Sequence, residues 1–284
     1  MPSPSDHMQA GVVPPPVLAG LEANRAVARL ALGIRQTAGA SRISTLREGG
    51  GYRIKFPESA DGVEAVLVNT GGGLLGGDTL DLSVTAEIGS TLMMTTQSAE
   101  KVYRAAGAAA RIATRLSVEA GARLFWMPQE TILFSGARLV RTITADVAAD
   151  GELFVAESNV FGRLAMGEVL GEGLLRDSWR IRRGGNLVFA DDLKLEGALV
   201  PLLDRPALGG GARAVASLVL IAADAELRLD AARALIDEAG VAAGASAWDG
   251  KLTLRLMAAD PAPLRRVMAR LIPGLSGRAL PRFW

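Results

Sequence analysis

Cysteine is missing from all 284 residues, and histidine occurs once, at His7. The first absence excludes disulfides, thiol catalysis, iron–sulfur clusters and thiolate zinc sites. The second removes imidazole from the body of the chain, and with it a Ser-His-Asp triad, a histidine general base and a histidine-rich metal centre. Neither sign of charge dominates. With 31 basic and 30 acidic side chains the formal net charge is +1, so no global field would gather nucleic acid or an acidic membrane. No apolar run is long enough to span a bilayer, and Met1-Pro-Ser-Pro-Ser-Asp6 lacks the basic and hydrophobic regions of a signal peptide. The chain reads as soluble and cytoplasmic, with no nucleic-acid or membrane partner. Carboxylates, hydroxyls, amides and guanidiniums are nearly all its chemistry.

Glycine, in contrast, is abundant, and Gly71-Gly-Gly-Leu-Leu-Gly-Gly-Asp78 contains a literal G-x-G-x-x-G. That fingerprint cradles a dinucleotide only when a helix follows, because the pyrophosphate needs free N–H groups at a helix N-terminus. Glu64–Val68 upstream suits a strand. Downstream, Leu80, Leu82 and Val84 alternate with Thr79, Asp81, Ser83 and Thr85, a period of two. The loop is therefore expected between two strands, as a tight turn presenting Asp78. A nucleotide-dependent enzyme remains the alternative and requires a helix after Gly77.

Residues 1–22, with Pro14-Pro-Pro16, are expected as a flexible arm, and residues 23–284 as one domain. A repeat organises its body. Strand-like Leu80–Ile88, Ile112–Ala120 and Val140–Asp150 each reach a glycine, at 89, 121 and 151, before a second apolar strand and a polar stop. A looser fourth copy turns at Gly185 and stops near Asp192. Such a period predicts a mainly β, layered, β-helix-like body in which each unit buries its face on the next. In the 223–284 portion, two short helices are expected. One runs over Asp230–Gly240 with Asp230 as N-cap. The other is capped by Asp260, starts at Pro261 and stops before Pro273-Gly274.

The polar stops are the candidate chemistry. Stacked in register, Gln97, Glu130, Glu157 and Asp192 would fall at corresponding corners, a row that needs compensation by arginine, water or a cation. Oxygen ligands alone would hold a borderline ion such as nickel weakly. Each of these residues could equally be ending its strand on turn backbone. Lys101, Tyr103 and Arg104 follow the first stop and suit a protein interface. Phe161–Glu168, broken by Gly162 and Gly167, reads as an irregular loop held by Arg163. Trp126 reads as core.

Assembled in order, these segments resemble the urease accessory protein family UreD (UreH in some organisms). The resemblance rests on Gly72–Asp81, Thr95–Arg104, Trp126–Ile132, Glu157 with Gly162–Glu168, and Pro281-Arg-Phe-Trp284, and covers about residues 25–284. Two departures are Phe125, where the family often has Glu, and Asn69-Thr70, where many members have Pro. The first puts in doubt a metal role for the Trp126 strand. The resemblance implies a non-enzymatic scaffold, mainly β with two helices. Such a scaffold binds urease apoprotein, contacts UreF directly and UreG through it, and offers nickel a passage. On that expectation there are no catalytic residues and no tightly bound cofactor. Asp78, Glu130, Glu157 and Glu168 are weak, transient Ni2+ contacts, while Gly76, Gly77, Gln97, Lys101, Tyr103, Arg104 and Arg163 meet partners. A purely structural adaptor with no ion path is the remaining reading.

Overall fold

The computed structural model describes residues 25–59, 62–163 and 166–284; the arm expected over residues 1–22 lies outside them. In chain order the strands are β1 (Val27–Thr37), β2 (Ala40–Arg47), β3 (Tyr52–Lys55), β4 (Val63–Asn69), β5 (Thr79–Ala86), β6 (Thr91–Thr96), β7 (Glu100–Val102), β8 (Ala110–Val118) and β9 (Arg123–Trp126). Then come β10 (Thr131–Leu133), β11 (Arg138–Val147), β12 (Glu152–Phe161), β13 (Glu172–Arg183), β14 (Asn186–Ala198), β15 (Ala214–Ile221), β16 (Val241–Trp248) and β17 (Lys251–Ala258). The helices are α1 (Leu199–Leu203), α2 (Leu229–Leu235) and α3 (Pro261–Ser276).

The expected repeat is a stack of coils. In each coil a strand of a first sheet turns into a strand of a second sheet, and then into a short third ladder. β5–β6–β7, β8–β9–β10 and β11–β12 follow this path, the last with one bent strand serving both the second sheet and the ladder. Successive coils pair in parallel and in register, so Leu82 sits between Leu30 and Thr114, and Met94 beside Trp126. Antiparallel strands close the ends: β2 and β14 on the first sheet, β3 and the β15–β17–β16 set on the second.

Burial follows from this layering. Strand β5 alternates half-buried and buried positions, because one face of the first sheet is open to water. The buried face meets the second sheet in a core that includes Leu32, Leu82, Leu92, Leu124 and Val155. The second sheet is buried on both faces, as the nearly unbroken burial of β12 shows. Its outer face, with Phe125, Phe154 and Leu220, packs against Leu264, Val267, Leu271 and Ile272 of α3. A one-residue slip of any central strand would drive its apolar set into water at roughly 1.5–3 kcal/mol per large side chain, so the register is tightly specified.

Three expectations need correction. The fourth copy is not a coil: β13 and β14 form an antiparallel hairpin within the first sheet, and Asp192 faces water beside Arg180. Helix α2 ends at Leu235, and its N-cap is Arg228 rather than Asp230. Helix α3 begins as expected, with Asp260 accepting from Ala262 N at 2.9 Å, but runs through Pro273 and Gly274 to Ser276. Proline inside a helix forgoes an N–H and crowds the carbonyl four residues back, a cost that packing of the last turn offsets here. Leu271, Ile272 and Leu275 are buried there, and Gly277 supplies the left-handed cap with φ 65°. Short helix α1 was not anticipated, for its Leu-Val-Pro-Leu-Leu carries no capping signal.

Losing the Asp260 cap should cost about 1 kcal/mol. Asp260→Ala is therefore expected to lower the urea midpoint modestly with no change in the slope of the transition.

Candidate functional site

The glycine string is the corner of a coil. It joins β4 to β5, and Leu74 within it pairs with Val102, extending the third ladder through Leu133 to Phe161. The loops that leave this ladder therefore stack side by side. Gly73 has no room for a side chain, since a Cβ there would lie 2.4 Å from the Tyr103 ring. At Gly76 it would meet Ala105 Cβ at 2.5 Å. Tyr103 donates to Gly72 O at 3.1 Å and meets Phe134 edge-on at 5.1 Å. The Arg163 guanidinium lies over the other side of that cluster, 4.4 Å from the Phe134 ring centre. Gly76, Gly77, Tyr103, Arg104 and Arg163 are thus brought to one stacked corner, while exposed Gln97 sits on the bend before β7 and exposed Lys101 within β7 itself.

Asp78 is not presented to solvent as expected. It is 4% exposed, and its two oxygens accept from Ala26 N at 2.9 Å and Leu75 N at 2.8 Å. Glu168 accepts from Arg163 N at 2.8 Å and Ser135 N at 3.2 Å, and pairs with the Arg163 side chain. Burial works against its ionisation, but those donors outweigh it and hold the carboxyl below its usual range. Glu130 points outward to Arg265 at 2.6 Å. That arginine also stacks on Trp284, whose indole donates to Met127 O at 2.9 Å, so the C-terminal residues pack down on the corner between β9 and β10. The four candidate carboxylates do not converge, and among the described residues no three acidic, histidine or cysteine side chains form a metal cluster.

Glu157 alone points into the stack, and there it joins a polar cluster that sequence reasoning missed. Along the first sheet an inward row runs Ala28, Leu80, Ile112 and then Arg141 and Asp177. Arg141 is 4% exposed and pairs with both Asp177 and Glu157. It also donates to Thr131 Oγ1 at 3.2 Å and Asn159 Oδ1 at 3.1 Å. Two indoles complete the shell: Trp126 donates to Glu157 at 2.8 Å and Trp179 to Asp177 at 3.0 Å. Glu157 Oε2 is ion-paired with the Arg141 guanidinium. Burial, opposed by Arg141, raises the Glu157 carboxyl above its ordinary range. For Arg141 the same desolvation is overcome by the carboxylates, which keep it protonated. The signal was present in alternation: Leu139-x-Arg141-x-Ile143 and Leu175-x-Asp177-x-Trp179 place a charge at an inward position.

A second buried group lies at the other end of the ladder. Glu100 shares a rung with Thr131 and Asn159, and receives Tyr52 Oη–H at 3.1 Å and Asn69 Nδ2–H at 2.9 Å. Tyr52, Asn69 and Glu100 line a small cavity of about 60 Å³.

A family model described as UreD urease accessory protein matches residues 26–284. The chain belongs to the UreD family. It is 52% identical over 250 residues to urease accessory protein UreD 2 of Methylorubrum populi, covering 87% of this chain and 84% of that one. UreD of Methylobacterium sp. strain 4-46 is 48% identical over 267 residues, with 92% and 95% covered. UreD of Xanthobacter autotrophicus is 48% identical over 246 residues, with 87% and 85% covered. The described residues of Gly72–Asp81, Thr95–Arg104 and the Gly162–Glu168 stretch lie at neighbouring corners of one stack, where Leu74 pairs with Val102 and Arg163 lies over Phe134.

Burial raises the Glu100 carboxyl from 4.5 to about 7, with Asn69, Tyr52 and Lys101 pulling it back. The folded chain then binds more protons than the unfolded one between those values, so stability falls as pH rises through that window. Glu100→Gln removes the penalty. It is expected to be more stable than the parent at pH 8, by at most on the order of 3 kcal/mol, with the gap closing near pH 4. Urea titrations at the two pH values check this, and an unchanged gap contradicts it.

Proposed function

We propose that this chain is an accessory scaffold for urease maturation. It binds urease apoprotein, contacts UreF directly and UreG through it, and lets nickel pass as cargo along weak oxygen contacts. It works in the cytoplasm, and among the described residues no helix is long and apolar enough to cross a membrane. The observation that carries this reading is the family match over residues 26–284.

The geometry supports it in two ways. The glycine loop is followed by strand β5, which leaves no helix dipole to receive a nucleotide phosphate. The candidate carboxylates are dispersed, each with its own arginine or backbone donors, and a dispersed oxygen set releases a borderline ion readily. Docking falls to the stacked corner, where Tyr103, Arg104 and Arg163 combine aromatic and guanidinium surface on loops held rigid by backbone pairing.

The test is co-purification of the full-length chain with urease structural subunits, UreF and UreG. Arg104→Glu is expected to weaken capture at least tenfold without lowering thermal stability. Glu130→Ala and Glu168→Gln, the latter keeping an acceptor for Arg163 N and Ser135 N, are expected to leave capture intact and reduce urease activation only when nickel is limiting. No complex with the parent chain overturns the scaffold reading. Full activation of both carboxylate variants at limiting nickel removes those side chains from the path.

A further inference from the structure

The first sheet leaves its outer face to water, and that face is rich in guanidinium. Stacking in register lines its outward residues up across the strands. One row carries Arg111, Arg176 and Lys194, and the next carries Arg29, Asp81 and Asp192. Part of the charge closes within the face. Asp81 pairs with Arg115, Asp192 with Arg180 at 2.6 Å, and Glu196 with Lys194 at 2.9 Å. Arg29, Arg111, Arg176 and Arg182 are exposed, and among the described residues none of them holds a carboxylate. Helix α3, across the molecule, is the contrast, for its Arg265, Arg266 and Arg270 each hold one. Arg111 and Arg176 stand two strands apart, roughly 10 Å, so each adds to the other's field. A shallow groove of about 350 Å³ opens between Arg29 and Arg111, with Val27, Val140 and Thr142 in its lining.

We propose that the open face of the first sheet docks a carboxylate-rich protein surface, with one acidic side chain entering the groove between Arg29 and Arg111. This rests on the scaffold reading and deepens it. A chain that holds urease apoprotein and UreF together needs two surfaces; the compact stacked corner is one, and this broad face is the other, taking the apoprotein. Exposed guanidiniums steer an acidic partner into encounter and fork onto its carboxylates on contact. A nucleic-acid backbone fits the face less well. Asp81 and Asp192 stand among the arginines and repel phosphate, whereas a protein surface can set its own cations against them. The sheet's only aromatic side chains, Trp179 and Phe189, pack inward and leave nothing for a base to stack on.

The test is the association rate of the full-length chain with urease apoprotein at about 50 and about 300 mM NaCl. R111E/R176E is expected to slow association roughly tenfold at the lower salt and to flatten its salt dependence, with melting temperature and UreF capture unchanged. R111K/R176K keeps the charge and should retain most of the parent's rate. R111Q/R176Q adds no new charge; it should show the same flattening to a smaller degree, and carries the test if the reversal destabilises the fold. Charge-reversed and neutral variants that associate at the parent's rate overturn the proposal and leave the scaffold reading standing. So does a reversal that costs UreF capture in place of apoprotein association. Single-stranded RNA bound by the parent and released by the reversal assigns the face to phosphate and overturns it as well. A parent chain that binds no apoprotein at either salt sinks both.

Discussion

In-register parallel stacking is the constraint from which the rest follows. Each coil exposes an apolar inner row that only the next coil can cover, so every corner must recur at the same height. The ladder Leu74–Val102–Leu133–Phe161 is the clearest record of this, one buried apolar residue per coil. Stacking brings loops distant in sequence side by side, and closely stacked loops leave no room for side chains at Gly73 and Gly76. In the glycine string Gly73 and Gly76 answer to the crossing loop, and Gly72 and Gly77 to left-handed backbone with φ 77° and 87°.

The same constraint makes the Arg141 cluster conspicuous. Inward positions elsewhere in these rows are apolar or small, and burying ions there is expensive. Replacing a buried ion pair by packed neutral groups is often neutral or stabilising, whereas removing one partner costs about 3–5 kcal/mol. Stability alone does not account for three charges held between two sheets. Their indole and amide partners form a complete shell that rigidifies the interior around one point. Glu100, on the same rung as Thr131 and Asn159, continues the polar row toward the small cavity it lines with Tyr52 and Asn69.

Much of the fold is legible in the sequence because its strands alternate cleanly and its glycines recur. Leu80, Leu82 and Val84 announce strand β5 and so dispose of the dinucleotide fingerprint. The fourth copy misleads because Gly184-Gly185 turns a hairpin as well as a coil, and pairing direction leaves no trace in alternation. Pro273 misleads because tertiary packing of Leu271, Ile272 and Leu275 carries a helix past a residue that would end it in isolation. Among the site residues, Tyr103 and Arg163 could be placed on turns, but Asp78 reads as an exposed turn carboxylate until Ala26 and Leu75 are seen to bind it. Arg141 and Asp177 were visible as charges at inward positions. What alternation lacks is the third dimension that sets Glu157 opposite them.

The central claim is that this chain acts as an accessory in urease maturation, as its family does. The direct measurement is the activity of urease matured from apoprotein with UreF, UreG and nickel in the presence and in the absence of this chain. The account predicts activation that depends on the chain. Equal activation without it would contradict the account.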